Sequence, residues 1–353
     1  MKLLQETIEN IKPLDKSSIE KCKKRFENIA MPLGGLGLLQ DAIIQLAGIQ
    51  QKEKPDISKR AVIVFCADNG VVAQGVTQCG QEVTAVVTEN LNKGLTSVCL
   101  MANTINIDVI PVDIGVARDV KGQKIRKHKI RYGTADMTKE PAMTKNEAIT
   151  AIETGIKLAL ECKQNDYNLL CVGEMGIGNT TTTAAVTSVL LGLEPEIVTG
   201  RGAGLSSEGL NRKINAIKTA IKLHKPNPKD IIDILHKVGG LDICGMVGTY
   251  LGSAYYRIPV VADGVIACAA ALCAVKLCAQ ARDYIIFSHK SFEPAGKKLL
   301  EALNAKPFID AKMKLGEGTG AVTAVSLLDL ALAPYLNMAS FEEINIDAYK
   351  PLT

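Results

Sequence analysis

The chain has 353 residues, 47% of them apolar and 22% charged, which allows one large domain or one with a small satellite and leaves ample core for an enzyme. A net charge of +4, no Trp and 4% aromatic residues argue against nucleic-acid binding, because bases would have little to stack on. Ten cysteines without a CxxC pair, several of them inside apolar runs, read as buried thiols of a reducing cytoplasm rather than as disulfides or a zinc site.

The start, Met1–Glu6, is polar and carries no apolar signal segment. Ser17–Ala30 has a helical pattern, and Ser17 followed by Glu20 predicts a capping box. Five short β-branched runs then alternate with longer helical patterns: Ala61–Ala67, Ile107–Val112, Tyr167–Val172, Pro259–Ala262 and Asp283–Ser288. They are apolar on both faces, the mark of strands in a parallel sheet covered by helices. The basic run Lys121–Lys129 reads as a solvated loop or edge. Ile266–Ala281 is long and apolar, but Lys276 interrupts it and its small residues suit packing against a sheet, so no membrane span is expected. Near the end, Ala321–Leu332 is apolar and Phe341–Ile346 amphipathic.

The expected fold class is therefore α/β, a doubly wound, mainly parallel sheet covered by helices. Both chain ends are helical in pattern but lack strands. The expected division is a large catalytic domain at 31–320 and a small helical domain built from 1–30 and 321–353.

The segments just after the strands carry the chemistry. Asp68-Asn69-Gly70, Asp113-Ile114-Gly115, Glu174-Met175-Gly176, Asp263-Gly264 and Ser288-His289-Lys290-Ser291 each come after an apolar run, and in open parallel sheets ligands bind beyond the carboxyl ends of the strands. Gly173–Thr183 reads as strand, glycine turn and helix start, where free amides and the helix dipole favour an anion. It is neither a Walker A loop nor a GxGxxG turn, so a monophosphate fits best. Thr199–Leu205 is a second glycine-rich loop, whose amides could hold a phosphate while Arg201 or Lys213 neutralises it. Leu315–Gly320 sets Glu317 between glycines, where a substrate can approach closely and partial burial would raise a carboxyl toward the range of a general base.

Taken in order, Met31–Gly37, Ala67–Val71, Gly173–Thr183, Thr199–Gly204, Val261–Gly264, Ser288–Ser291 and Leu315–Gly320 resemble the motif series of the nicotinate-nucleotide:dimethylbenzimidazole phosphoribosyltransferase family. Each motif alone is weak, and together they span nearly the whole chain. The resemblance implies transfer of the phosphoribosyl group of nicotinate mononucleotide to the aromatic base that becomes a cobamide lower ligand, with no metal and no cofactor. It implies Glu317 as general base and Glu174 as a second carboxylate orienting ribose or acceptor. Gly176, Gly178, Asn179, Thr180, Gly202, Ala203, Gly204 and Lys213 fall where the family holds phosphate and ribose, with Asp263, Gly264 and Ser291 lining the same cleft. It also implies a homodimer with sites near the subunit interface.

One departure concerns the acceptor. Members that use dimethylbenzimidazole have a Ser and, eight residues later, a Gln where this chain aligns Cys79 and Val87, beside Leu315 on the acceptor wall. That wall is less polar, which leaves benzimidazoles, purines and phenols open as acceptors. Because some relatives work as two-subunit transferases, a weakly active or inactive partner in a heterodimer is the alternative; the intact Glu317, Glu174 and both phosphate loops argue against it.

Overall fold

The protein, described here over residues 2–349 of a computed structural model, is built on one six-stranded parallel sheet: β1 (Arg60–Ala67), β2 (Asp108–Gly115), β3 (Arg126–Lys127), β4 (Leu169–Met175), β5 (Val260–Ala262) and β6 (Ile285–Phe287). The order across the sheet is β3-β2-β1-β4-β5-β6. The chain thus winds outward from β1 in one direction and from β4 in the other, which opens a crevice at their carboxyl ends.

The alternation along β1 explains the layering. Ala61, Ile63, Phe65 and Ala67 belong to one core, and Val62, Val64 and Cys66 to the other. With every residue of β1 buried, the strand can be apolar throughout. The first core is completed by the helices Lys145–Gln164, Leu241–Tyr256 and Val265–Leu277, the second by Leu38–Gln50, Glu82–Lys93, Ser97–Thr104 and Thr319–Asn337. The apolar Ile266–Ala281 segment is accordingly a buried helix that stops at Leu277 and continues as a 3-10 turn. Thr319–Asn337 is long and apolar enough to cross a membrane, but Ala321, Val322, Val325 and Leu328 are buried in the second core.

Several local expectations are corrected. The Lys16–Asn28 helix is capped by Asp15, which accepts from the Ser18 amide at 2.7 Å, and not by a Ser17/Glu20 box; a carboxylate placed before the first turn reaches the free amide first, and Glu20 pairs with Lys23 instead. Phe341–Ile346 forms turns rather than a helix. β3 lies inside the basic run, at the sheet edge where its exposed side chains meet water. β2 and β4 run further than their apolar stretches, to Gly115 and Met175, because backbone pairing with β1 continues through Asp113 and Glu174. Glu174 is therefore a strand residue.

The chain ends meet. Arg25 donates to the Tyr335 and Leu336 carbonyls at 3.0 and 3.1 Å, and the Phe26 and Tyr335 rings lie 4.5 Å apart. Residues 1 and 350–353 of the terminal segments lie outside the described part of the chain.

Candidate active site

Beyond β4 the chain turns at Gly178, whose φ of +93° suits glycine, and enters the Asn179–Leu191 helix. This geometry throws Asn179, the first helical residue, back toward the strand it follows. Its amide nitrogen donates to Glu174 Oε2 in a short bond and to Asp242 Oδ2 at 3.1 Å. Glu174 is buried. Burial, then the neighbouring Asp242 and Asp263, push its carboxyl well above the usual range. Asp242, at the start of the Leu241–Tyr256 helix, is itself raised to about 6 by burial.

Glu317 faces Glu174 from the second layer of the site. It sits at φ +62° between Gly316 at +89° and Gly318 at +92°, a run of left-handed residues that projects its side chain while the backbone hugs β4. A Cβ on Gly173 would lie 2.5 Å from Gly318 N, so only glycine lets strand and loop approach this closely. Glu317 Oε2 accepts from the Val98 amide at 3.2 Å, at the first turn of Ser97–Thr104. Burial raises its carboxyl above the ordinary value, and the Val98 amide and Thr96 oppose that rise.

Asp263 fixes this loop. Its carboxylate accepts from Gly318, Gly320 and Ala321 at 3.1, 2.7 and 3.2 Å, so the start of the Thr319–Asn337 helix is capped from β5. His289 lies 3.9 Å away and takes a contact at 3.1 Å from Ser288 Oγ.

On the other side of the Gly176–Gly178 turn, Lys213 reaches inward from the Ser207–His224 helix and is wholly buried. Its ammonium donates to Thr180 Oγ1 at 2.7 Å and to the Gly200 carbonyl at 3.2 Å. Burial depresses it to about 8, against the pull of Glu293. Glu293 in turn accepts from the Gly202 amide at 3.1 Å. A glycine amide thus binds a carboxylate close to a cation, since a Cβ on Gly202 would lie 3.5 Å from Lys213 Nζ, the arrangement an oxyanion uses.

Two adjoining cavities join these parts. The larger, about 190 Å³, is lined by Glu174, Gly176, Asn179, Thr180, Gly202, Ala203, Asp263, Gly264, Ser291, Leu315 and Glu317, and the smaller, about 100 Å³, by Cys79, Gly178 and Lys213 together with Gly176, Asn179, Thr180, Gly202 and Ala203. The strand-end segments Asp68-Asn69-Gly70 and Asp113-Ile114-Gly115 line neither cavity, and of the residues that the resemblance placed in the site two more stand apart. Gly204 lines neither cavity but accepts from Gln78, and Val87 is half-buried on the Glu82–Lys93 helix, away from both walls. Cys79 stands on the Lys213 side, not beside Leu315.

Sequence reasoning missed Asp242 and Glu293. Asp242 was legible as the lone acidic residue after Gly239-Gly240 at the head of an otherwise uncharged helix. Glu293 comes two residues after the Ser288–Ser291 motif and gave no signal of its own. Among the described residues no cluster of His, Cys, Asp or Glu could hold a metal ion.

A phosphoribosyltransferase family model matches residues 11–346. A nicotinate-nucleotide–dimethylbenzimidazole phosphoribosyltransferase of Ruminiclostridium cellulolyticum is 46% identical over 348 residues, covering 99% of each chain, and one of Clostridium acetobutylicum is 44% identical over 349 residues, again 99% of each. The crystal structure of CobT from Thermus thermophilus superposes with a TM-score of 0.89 at 36% identity, covering 94% of this chain and all of that one. With the family model matching residues 11–346 and the relatives matching across 99% of the chain, the chain belongs to the nicotinate-nucleotide–dimethylbenzimidazole phosphoribosyltransferase family.

Proposed function

We propose that the protein transfers the 5-phosphoribosyl group of nicotinate mononucleotide to an aromatic acceptor that becomes a cobamide lower ligand. The acceptor nitrogen, or a phenolic oxygen, attacks C1 of the ribose. The bond from C1 to the pyridinium nitrogen breaks, its electron pair stays on nicotinate, and an α-riboside 5′-phosphate forms with inversion. Because the leaving group is already a pyridinium, the protein's tasks are alignment and removal of the acceptor's proton.

The observation that carries this reading is the opposition, across one cavity, of the glycine-flanked Glu317 and the Gly176/Gly202 edge that opens onto Lys213. Glu317, held above its ordinary range by burial, takes the acceptor proton. Lys213 and the Gly202 and Ala203 amides hold the 5′-phosphate, with Gly176, Gly178, Asn179 and Thr180 shaping the turn beneath it. Glu174 orients ribose or acceptor; Gly264 and Ser291 line the same wall, and Leu315 covers the acceptor. Cys79 borders the Lys213 cavity and not the one with Leu315, so it sets no acceptor preference, and benzimidazoles, purines and phenols all remain in the acceptor class.

The working form in this reading is a homodimer in a reducing cytoplasm. Leu95, Leu100 and Leu330 are 65%, 60% and 71% exposed, and the last two lie on helices packed against each other next to Glu317. An apolar face of this kind suits a second subunit. Incubating the purified chain with nicotinate mononucleotide and a panel of benzimidazoles, purines and phenols, then identifying products by mass, tests the assignment. Release of nicotinate without a new riboside, or no reaction with any acceptor, would overturn it.

A further inference from the structure

Asp242 lines neither cavity, yet it is wholly buried and one bond removed from the site. The Asn179 side chain carries two N–H hydrogens on one nitrogen, and both are engaged: one with Glu174 Oε2, the other with Asp242 Oδ2. Asp242 is anchored in its turn by the Ile243 amide, which donates to Oδ1 at 2.9 Å. It is also boxed in. A Cβ on Gly176 would stand 3.1 Å from Oδ2, and Gly240 leaves no more room beside Oδ1.

The consequence for Glu174 is directional. Its Oε2 is bound to Asn179, while Oε1 lies 2.8 Å from where a Cβ on Gly316 would be, on the side of the Glu317 loop. Asp242 holds the amide this way round, since the carbonyl end of Asn179 would face the Asp242 carboxylate with a third oxygen. Were Asp242 absent, the amide could turn over or swing away, and Glu174 would lose its fixed rotamer.

We propose that Asp242 is a positioning residue for Glu174: it clamps the Asn179 amide, which pins Glu174 Oε2 and leaves Oε1 aimed into the cavity as a hydrogen-bond donor to the bound ligand. The donor role follows from the surroundings. Glu174 faces the carboxylates of Asp242, Asp263 and Glu317, and His289 stands behind Asp263; Asp242 has Asp68 behind it, and the Cys66 and Cys244 thiols border the network. Within that ring the ionisable groups nearest Glu174 are acids, and burial first and their charges second push its carboxyl well above the usual range. Asp242 therefore acts twice, through the amide and through its charge.

The inference rests on the phosphoribosyl-transfer reading for its kinetic arm alone. Asp242→Asn keeps the shape and removes the charge, and kcat at saturating nicotinate mononucleotide, where Lys213 is already paired with phosphate, should fall at least about tenfold with KM for the nucleotide within about twofold. The alkaline limb of its pH profile should move to lower pH, because Glu174 then gives up its proton sooner. In a Glu174→Gln background the same change should move no limb. Carbon-13 NMR of labelled glutamate carboxyls, with the Glu174 resonance assigned by its loss in Glu174→Gln, reads the midpoint without any turnover and should show it lower in Asp242→Asn. Thermal unfolding of each variant establishes that it is folded. A fall in kcat that is equal at every pH, together with an unmoved carboxyl midpoint, would mean that Asp242 only supports the fold. If the wild-type protein transferred no phosphoribosyl group while the midpoint still moved, the functional reading would fail and the clamp would stand.

Discussion

The Glu317 carboxylate takes its hydrogen bond from the amide of Val98, 219 residues away in sequence, so the proposed base is oriented by the first turn of a helix in the opposite half of the sheet. That turn also carries the positive end of a helix dipole, which favours the ionised carboxylate while burial favours the neutral one. A base poised between these two pulls can both take and release a proton.

Glu317→Gln should therefore lower kcat at least about a hundredfold with little change in nucleotide affinity, as expected when a positioned proton acceptor is lost. Steady-state kinetics and a direct binding titration check the two halves separately. A Gln variant with near-normal turnover would move the base elsewhere.

Lys213→Ala should raise KM for nicotinate mononucleotide much more than KM for the acceptor, since the charge it neutralises belongs to the donor. A selective rise in the acceptor's KM would take Lys213 out of the phosphate site.

The same lysine predicts a pH dependence of stability. Its ammonium ionises near 10.5 when exposed and at about 8 in the folded protein. Between those values the unfolded chain holds a proton that the folded one has lost, so stability from this group rises with pH across the window. Below pH 8 the cost of burying the charge is felt in full. Relative to a Lys213→Met variant, the wild-type protein should gain on the order of 3 kcal/mol between pH 8 and 10.5, read as the difference between two denaturation series. A gap that stays flat across the window would show that burying the amine carries no desolvation cost.

Gly173→Ala tests the close approach of strand and loop. The added methyl meets the backbone at Glu317 and Gly318, which cannot turn aside as a side chain could, so overpacking should cost about 1–3 kcal/mol and displace the base. Denaturant midpoints and kcat should fall together. A variant that kept both would mean that the loop has slack the structure does not show.

Cys79→Ser and Val87→Gln should each leave the kcat/KM ratio between benzimidazoles and phenols within about twofold, because neither side chain lines the cavity that holds Leu315 and Glu317. Cys79 borders the Lys213 cavity and Val87 borders neither. Competition assays with both acceptors at fixed nucleotide decide this, and a shift of about fivefold, the worth of one hydrogen bond, in either variant would return that residue to the acceptor wall.

The strands were legible because their apolar runs are continuous, and the glycine loops because glycine and polar residues crowd the ends of those runs. The strand ends themselves were not, since Asp113 and Glu174 pair through backbone atoms that no side-chain pattern reports. Asp15 was overlooked for a similar reason: Ser17 and Glu20 offered a stronger local motif than the carboxylate that in fact reaches the amide. The gathering of Glu174, Asn179 and Asp242 depends on where two glycines let a strand and two helices converge, a three-body relation that spacing along the chain does not encode.

Asp263 must wait for its partners. The three amides it binds belong to residues 318–321, emerging from the ribosome more than fifty residues after it, and the loop they anchor brings Glu317 with it. A chain still in synthesis through residue 310 already holds Lys213, Gly202 and the Gly176–Gly178 turn but has no base. In the proposed mechanism, the residues that grip the phosphate thus precede the residue that takes the acceptor's proton. The proposed base is the last part of the site to be placed, when the final long helix closes over the sheet and a buried carboxylate receives the donors it lacked.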